Sequence, residues 1–369
     1  MNAFVSTRGQ ARPANAYEAI INGMAPDNGL YVPARFERLD IEKLLPLRED
    51  ELFATVLCSF FGCFEYDELL DTVREGYDGK FDSEEYAPLV KLGDRYVLEL
   101  FHGPTCAFKD IALCLLPHFI TRAAKKLGIK DEIRILTATS GDTGKAALAG
   151  FSDVPGTSII VFYPDGGVSE IQRLQMVTQE GGNVRVFGIK GNFDDAQTGV
   201  KRIFADTDVK KRLAGSSVRL SSANSINLGR LAPQICYYFK AYCELVRNGV
   251  VQPGGEVDFC VPTGNFGNIL AGLYAKQMGL PVSKLVCASN ENKVLFDFFE
   301  TGIYDREREF RLTASPSMDI LVSSNFERCV YFMTGSDAAK TRTLLQSLFV
   351  SGRYEVDRAT LNNMRSVFA

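Results

Sequence analysis

A single lysine lies between a turn that contains glycine and proline and a run of apolar residues. The turn covers residues 100–110, and the apolar run at 111–116 follows it at helical spacing. Lys109 is therefore predicted at the start of a helix that is buried on most sides. Burial lowers the pKa of an ammonium group, and a neutral amine forms Schiff bases with aldehydes. On this stretch alone an exposed turn lysine is the favoured interpretation, because most lysines lie on protein surfaces.

A glycine loop, Thr263-Gly264-Asn265-Phe266-Gly267-Asn268, joins a predicted strand at 257–262 to a predicted helix at 269–278. Ligands bind where parallel strands end, and successive backbone N–H groups at a helix N-terminus bind anions. Gly264 and Gly267 let the backbone approach a phosphate closely. The loop matches neither the dinucleotide-binding nor the Walker pattern, so the expected ligand is a smaller phosphate ester. Taken singly, such a loop is more often a simple connection.

A second loop, Thr139-Ser140-Gly141-Asp142-Thr143-Gly144, follows another predicted strand and supplies hydroxyl groups as well as N–H groups. This composition suits a substrate carboxylate, with Ser140 and Thr143 as hydrogen-bond donors. A serine or threonine at this place could equally cap the following helix, and the two roles are compatible.

A third polar cluster lies at residues 224–230, just before a predicted helix. Asn224, Ser225 and Arg230 bring an amide, a hydroxyl and a guanidinium together there. Such a set binds a dianionic phosphate well. The alternative is a capped helix with Arg230 in solvent.

Strands and helices alternate from about residue 131 onward, which is typical of an α/β fold with a parallel sheet. The strands are predicted at residues 96–101, 132–138, 158–163, 183–189, 257–262 and 285–289, and the helices at 50–64, 145–151, 168–179, 193–204, 228–248 and 269–278. Residues 1–95 are predicted to form a separate, mostly helical region. Its helix at 50–64 has an apolar face made of Leu52, Phe53, Val56, Leu57 and Phe60.

The composition narrows the functional classes. A chain of 369 residues favours two or three domains, and a net charge of −4 argues against nucleic acid or an anionic membrane as the main partner. Nine cysteines without a Cys-x-x-Cys pair favour a reducing compartment and no structural zinc. With two histidines only, a His-rich metal site is not expected. The N-terminal residues lack the apolar core of a signal peptide, and no apolar run is long enough to span a bilayer, so a cytoplasmic location is expected.

Taken together and in this order, these segments resemble the threonine synthase family. The lysine segment (His102-Gly103-Pro104-Thr105 with Ala107-Phe108-Lys109-Asp110), residues 138–144, 191–196, 224–230 and 262–268 all carry the resemblance. Residues 22–33 are similar to the N-terminal region of the family, and residues 315–320 with 324–328 to a later segment. The resemblance runs from residue 1 to about residue 330.

The resemblance implies a pyridoxal phosphate (PLP) enzyme of the tryptophan-synthase-β type, PLP fold type II. Two open, mostly parallel α/β domains are expected, with an additional N-terminal helical region at 1–95. The large domain would take residues 96–130 and 221–369, and the small domain residues 131–220. The implied reaction converts O-phospho-L-homoserine and water to L-threonine and phosphate, the last step of threonine biosynthesis. The expected partner is the small molecule O-phospho-L-homoserine, and neither a nucleic acid nor a membrane is expected. The protein would be a monomer or a homodimer.

Site roles are carried over by motif. Lys109 would hold PLP covalently and act as the local base, and Asp142 would lie near the 3-oxygen of the pyridine ring. The cofactor phosphate would be bound by Gly264, Asn265, Phe266, Gly267 and Asn268. The substrate carboxylate would be bound by Ser140 and Thr143, and the substrate phosphate by Asn224, Ser225 and Arg230. No metal is expected.

Two departures from the family pattern qualify this prediction. Many relatives carry Asn where this chain has Asp142, and an ionised Asp cannot donate a hydrogen bond, so a shared proton or a water is needed there. The family also continues beyond Ala369 with the residue that faces the pyridine nitrogen, so weak PLP binding or slow turnover is expected of this chain alone. The alternatives are another enzyme of the same fold type, such as a threonine or serine dehydratase, and a catalytically silent homologue that binds a phosphorylated metabolite.

Overall fold

The structure, a computed structural model, describes residues 2–369, except the side chains at positions 194, 201, 205, 210 and 214. The helices are α1 (Ala16–Asn22), α2 (Ile41–Leu44), α3 (Glu49–Phe61), α4 (Tyr66–Tyr77), α5 (Lys109–Leu113), α6 (Leu116–Lys126), α7 (Asp142–Phe151), α8 (Glu170–Val177), α9 (Phe193–Ala205), α10 (Thr207–Ala214), α11 (Leu228–Arg247), α12 (Gly267–Gln277), α13 (Val294–Thr301), α14 (Phe326–Met333), α15 (Ala338–Ser351) and α16 (Arg358–Val367). The strands are β1 (Phe4–Ser6), β2 (Tyr31–Pro33), β3 (Leu89–Leu92), β4 (Arg95–Leu98), β5 (Glu132–Ala138), β6 (Thr157–Pro164), β7 (Val184–Ile189), β8 (Val218–Ser221), β9 (Val257–Pro262), β10 (Val282–Ala288), β11 (Ile303–Asp305) and β12 (Arg353–Glu355).

A four-stranded parallel sheet occupies the middle of the chain, in the order β7-β6-β5-β8. Strand β5 is one of its two inner strands, since it pairs on both sides, and its residues Ile133 and Ile135 are buried. The loop after β5 therefore opens at the carboxyl edge of the sheet, where α7 begins. The sheet and its helices all lie within residues 132–221, which is compatible with the small domain proposed for 131–220.

A second parallel pair, β9 and β10, lies in the later part of the chain and packs against α11 and α12. Tyr238 of α11 contacts Phe259 of β9 edge to face, with ring centroids 4.9 Å apart. Gly272 of α12 lies so close to Leu285 of β10 that an added Cβ would come within 2.9 Å of its side chain. This close packing fixes the start of α12 at the carboxyl end of β9.

The N-terminal region is mostly helical, as the sequence predicts, with the antiparallel pair β1–β2 added to it. The apolar face predicted for α3 is buried in the core of the molecule. Two backbone carbonyls of α1 accept hydrogen bonds from the segment that precedes α11: Ile21 from the Ser221 hydroxyl at 2.9 Å and Ile20 from the Asn227 amide at 3.0 Å. The N-terminal region is therefore joined directly to residues 221–227.

The apolar run after Lys109 forms two helices rather than one. Helix α5 ends at Leu113, and α6 begins at Leu116 with Pro117 in its first turn. A proline has no N–H to bond the carbonyl of Leu113 four residues earlier, and its ring clashes with that carbonyl in a continuous helix. The Leu113 carbonyl instead lies against α7, where an added Cβ on Gly150 would come within 2.1 Å of it.

The Asn227 side chain connects the N-terminal region to the start of α11. It is fully buried, donates to the carbonyls of Ile20 and Ser222, each at 3.0 Å, and accepts from the N–H of Gly229 at 2.9 Å. We expect Asn227→Ala to lower the free energy of unfolding by about 2–4 kcal/mol, because a helix cap is lost and buried carbonyls lose their donor. Urea denaturation followed by circular dichroism measures this change.

Asn363→Ala is the matched control, since the exposed Asn363 donates only to the carbonyl of Met333. It should cost less than about 1 kcal/mol. Equal effects of the two substitutions would contradict the role given to Asn227.

Candidate active site

The turn before Lys109 is built by the buried carboxylate of Asp110. It accepts hydrogen bonds from the N–H and the hydroxyl of Thr105, at 2.9 and 2.6 Å, and from the N–H of Ala107 at 3.3 Å. Gly103 lies against it, and an added Cβ there would come within 2.5 Å of the Asp110 side chain. Burial raises the pKa of Asp110, and these donors oppose that shift. The turn therefore has a single defined shape, which places Lys109 at the first position of α5.

Lys109 forms an ion pair with Asp142 at the start of α7. The Nζ–Oδ2 distance is 3.2 Å, and the lysine side chain is only 10% exposed. Burial lowers the pKa of Lys109, the Asp142 carboxylate opposes this shift, and the nearby cations Arg230 and Lys145 add to it. Lys109 is thus an amine that loses its proton more readily than a lysine in water.

Besides Lys109, three side chains surround Asp142, two from other parts of the chain and one from its own helix. The Gln172 amide donates to Oδ1 at 2.8 Å, the Ser317 hydroxyl donates to Oδ2, and the Lys145 ammonium lies 3.9 Å from Oδ1. Burial alone would raise the pKa of Asp142, but Lys109, Gln172 and Lys145 lower it overall. The carboxylate is therefore held in its ionised form.

Lys145 also supports the lysine turn. Its ammonium donates to the Thr105 carbonyl at 3.0 Å, and its side chain is 11% exposed. It lies one helical turn after Asp142 and so connects α7 to the turn before α5.

The loop between β5 and α7 is capped by Thr139, which the sequence analysis did not single out. Its hydroxyl accepts from the N–H groups of Gly141 and Gly144, at 3.0 and 2.9 Å. Gly141 has φ = 135°, and an added Cβ would meet the Gln172 side chain at 2.4 Å, so only glycine fits. Ser140 is exposed and Thr143 half-buried. Since Thr139 provides the cap, neither of these two hydroxyls is required for it.

The Gly264–Asn268 loop presents unbonded donors at the start of α12. Among the described residues, no acceptor is hydrogen-bonded to the N–H groups of Gly264, Asn265 and Phe266. Phe266 has φ = 64°, a left-handed conformation that tightens the loop into a concave arrangement of amides. At Gly264 an added Cβ would lie 3.1 Å from the Ser317 carbonyl oxygen, so a side chain there would press on the neighbouring segment.

Two asparagine side chains beside this loop, Asn268 and Asn325, differ in how their polar atoms are bonded. The Asn268 side-chain oxygen accepts from the hydroxyls of Tyr237 and Tyr238, at 2.5 and 2.9 Å, which turns it toward α11. Asn325 is fully buried, and its amide nitrogen has no hydrogen-bond partner within the described part of the chain. That nitrogen lies 3.4 Å from the Cβ position of Gly267.

Residues 224–230 follow β8 and extend into the first turn of α11, where Arg230 lies. The Asn224 side-chain oxygen accepts from the Thr137 hydroxyl of β5 at 3.1 Å, which ties this segment to the sheet that carries Asp142. Arg230 is 4% exposed and donates to the Ala223 carbonyl at 2.9 Å. Burial lowers the pKa of Arg230 to about 10, and no carboxylate of the described residues pairs with it. The alternative interpretation, in which Arg230 lies in solvent, is therefore wrong.

These groups fit a phosphorylated aldehyde cofactor. The unbonded N–H groups and the orphaned Asn325 amide lie together at the start of α12, as an anion site requires, while Lys109 supplies an amine of lowered pKa. Among the described residues no cluster of His, Cys, Asp and Glu could hold a metal ion. In the same part of the chain, no helix is long and apolar enough to cross a membrane.

The comparisons with known proteins agree with this fold. Residues 84–331 match the family model described as "Pyridoxal-phosphate dependent enzyme", and residues 3–77 match "Threonine synthase N terminus". The first match covers more than half of the chain, and the fold is that of PLP fold type II, as predicted.

The chain is also similar to individual threonine synthases. The chain is 40% identical to the threonine synthase of Pseudomonas aeruginosa, over 99% of this chain and 76% of that protein. A crystal structure of PLP-bound threonine synthase from Brucella melitensis superimposes with a TM-score of 0.92 and 40% identity, covering 100% of this chain and 78% of that one. The yeast enzyme gives a TM-score of 0.90 at 34% identity, over 100% of this chain and 75% of that one. This chain belongs to the threonine synthase family.

The chain is also 40% identical to human threonine synthase-like 1, over 95% of its own length. It spans about half of that relative, 49%.

Besides Thr139, sequence reasoning missed four polar residues that contact Asp142 or build the turn before Lys109. Asp110 appeared only as part of the lysine segment and Lys145 only as the start of a predicted helix, and Gln172 and Ser317 lie 30 and 175 positions from the Asp142 that they contact. The presence of a carboxylate directly after Lys109 was the one available signal, since a buried Asp in a turn needs several donors.

The pKa shifts predict how Lys109 reacts in the PLP-free protein. Only the neutral amine reacts with an acylating reagent, so a lowered pKa allows labelling at lower pH than for an exposed lysine. Asp142→Asn removes the carboxylate that raises the pKa of Lys109, and labelling should begin at still lower pH. Peptide mass spectrometry across a pH series measures both profiles.

Lys43, which is 83% exposed, provides the reference within each sample. A Lys109 profile that coincides with that of Lys43 would refute the burial argument, as would a shift to higher pH in the Asp142→Asn variant.

Proposed function

We propose that this chain is a threonine synthase, a PLP-dependent lyase that converts O-phospho-L-homoserine and water to L-threonine and phosphate. The observation that carries the proposal is Arg230, a buried guanidinium without a carboxylate partner among the described residues and close enough to Lys109 to lower its pKa. Among the described residues its guanidinium donates to one carbonyl only, that of Ala223, and a buried cation with unused N–H donors favours an anionic ligand. A substrate that carries its own phosphate supplies that anion, whereas a dehydratase substrate has no second phosphate.

The cofactor would be held by two elements that meet at the site. Its phosphate would bind the N–H groups of Gly264–Asn268, with the helix dipole of α12 favouring the negative charge, and its aldehyde would be bound by Lys109. Asp142 would lie beside the ring. When bound, PLP withdraws electrons from the carbon atoms next to the substrate amine, which no protein side chain can do.

Lys109 would then move protons on the substrate. Once released from the cofactor, its amine can take a proton from one carbon and return it at another, because its lowered pKa lets it become neutral more readily than a lysine in water. Asp142, kept ionised by Gln172 and Lys145, would stabilise the ammonium formed between these transfers. The 3.2 Å ion pair shows that the two groups are already in contact.

The substrate would be held at both ends. Ser140 and Thr143, whose hydroxyls are not used as the helix cap, would bind its carboxylate. Asn224, Ser225 and Arg230 would bind its phosphate, on the segment that is tied to β5 through Thr137. The 3₁₀ turn Pro316–Met318 contacts Asp142 through the Ser317 hydroxyl.

The domain division stays part of this proposal, with residues 131–220 as the small domain and 96–130 plus 221–369 as the large one. We also propose a cytoplasmic location, because nine free cysteines suit a reducing compartment.

Phosphate release from O-phosphohomoserine in the presence of PLP is the direct test. The unmodified chain should release phosphate and form threonine, and Lys109→Ala should lower the rate at least about a hundredfold, the usual contribution of a proton-transferring group. Lys43→Ala, an exposed position, is the control and should leave the rate unchanged.

Formation of 2-oxobutyrate from threonine without phosphate release would favour the dehydratase. Absence of both reactions, with PLP bound, would indicate a homologue that only binds a phosphorylated metabolite.

Arg230→Met should separate substrate binding from cofactor binding. A charge-assisted hydrogen bond contributes about 1.5–3 kcal/mol, so KM for O-phosphohomoserine should rise about 10- to 150-fold. PLP affinity, measured by absorbance titration, should change less than about twofold. Arg219→Met is the matched control, since Arg219 is exposed on β8. Parallel loss of PLP affinity would show that Arg230 serves the cofactor instead.

A further inference from the structure

The segment 323–325 lies directly against the Gly264–Asn268 loop. The Ser323 hydroxyl donates to the Gly264 carbonyl at 2.6 Å, and the N–H of Asn325 donates to the Asn265 carbonyl at 3.1 Å. Ser324 is held between these two bonds. Its backbone position is therefore set by the loop that would bind the cofactor phosphate.

Arg328 fixes the other side of the same segment. It is fully buried, and its guanidinium donates to the Asn325 side-chain oxygen, to the Ile226 carbonyl at 2.6 Å and to the Tyr31 carbonyl at 2.9 Å. Ile226 belongs to the segment 224–230. One planar group thus sets the distance between segment 323–325 and the residues proposed to bind the substrate phosphate.

The Ser324 hydroxyl lies between the two proposed phosphate sites. It is 3.4 Å from the Ser225 hydroxyl and 3.3 Å from the side-chain oxygen of Asn265. Both distances are long for bonds that involve a hydroxyl, and Ser324 has a single proton to share between them. Ser324 is half-buried, so this hydroxyl is accessible to a ligand. A phosphate oxygen would be a stronger acceptor than either present neighbour.

We propose that Ser324 donates its hydroxyl proton to the phosphate group of the substrate and so completes the set formed by Asn224, Ser225 and Arg230. This inference rests on the proposed function. The substrate phosphate is favoured over the cofactor phosphate because the loop already offers three unbonded N–H groups to the latter. The proposed substrate-phosphate site has one guanidinium, that of Arg230, and few further donors for the three terminal oxygens of a phosphate ester.

The PLP-loaded protein is used for the test, with three variants. Ser324→Ala removes the hydroxyl, Ser324→Thr keeps it, and Ser366→Ala removes an exposed hydroxyl that donates only to the Asn363 carbonyl. The measurements are KM and kcat for O-phosphohomoserine, inhibition by inorganic phosphate, PLP affinity, and protection by inorganic phosphate against thermal unfolding.

Ser324→Ala should raise both KM and the inhibition constant of phosphate about 10- to 150-fold, as expected for one hydrogen bond to a charged group. The value of kcat and the PLP affinity should change less than about twofold, and Ser324→Thr should restore KM. Unchanged KM and inhibition constant would overturn the proposal, and so would a loss of PLP affinity of the same size.

A protein without turnover of O-phosphohomoserine would refute the proposed function but not, by itself, the anion site. Phosphate protection against unfolding decides that case. Protection that is lost in Ser324→Ala and kept in Ser324→Thr supports the donor, and equal protection in all variants overturns it.

Discussion

The buried ion pair of Lys109 and Asp142 is the constraint on which the arrangement of the site depends. An ammonium that is nine-tenths buried would lose its proton if no anion lay beside it, and a buried carboxylate without cations would gain one. The pair keeps Asp142 ionised and leaves Lys109 an amine that loses its proton more readily than a lysine in water. The pair requires α5 and α7 to begin at the same place, and the turn built by Asp110 and the loop capped by Thr139 bring this about.

Two buried arginines show how the surroundings distinguish a structural charge from a binding charge. Neither pairs with a carboxylate of the described residues, and burial lowers the pKa of both. Arg328 donates to three fixed acceptors from three segments, so its hydrogen-bonding capacity is used within the protein. Arg230 donates to one carbonyl, at Ala223. The remaining capacity of a guanidinium, which has five N–H donors, is the physical reason to expect a ligand at Arg230.

The order of strands and helices could be predicted because each signal is local. Strand β5, strand β9 and the loops that follow them were placed correctly from apolar runs that end in glycine, and those loops carry most of the candidate site. The break between α5 and α6 was missed, although Pro117 marks it, because the apolar spacing continues across the break. Gln172 and Ser317 could not be found in this way. Their contacts with Asp142 depend on how separate elements pack, which no local pattern records.

The N-terminal region influences the site although, in the contacts described, it brings no charged side chain to Lys109. Its carbonyl groups at Ile20, Ile21 and Tyr31 accept hydrogen bonds from Asn227, Ser221 and Arg328. Backbone carbonyls are suited to this task, because they are fixed by the β1–β2 pair and α1 and do not titrate. Ser221 and Asn227 belong to residues 221–230, and Arg328 contacts this range at Ile226. The N-terminal region therefore helps to set the position of the proposed substrate-phosphate segment. A displacement of α1 would therefore move Asn224, Ser225 and Arg230 relative to Lys109, and the region acts as a structural part of the site.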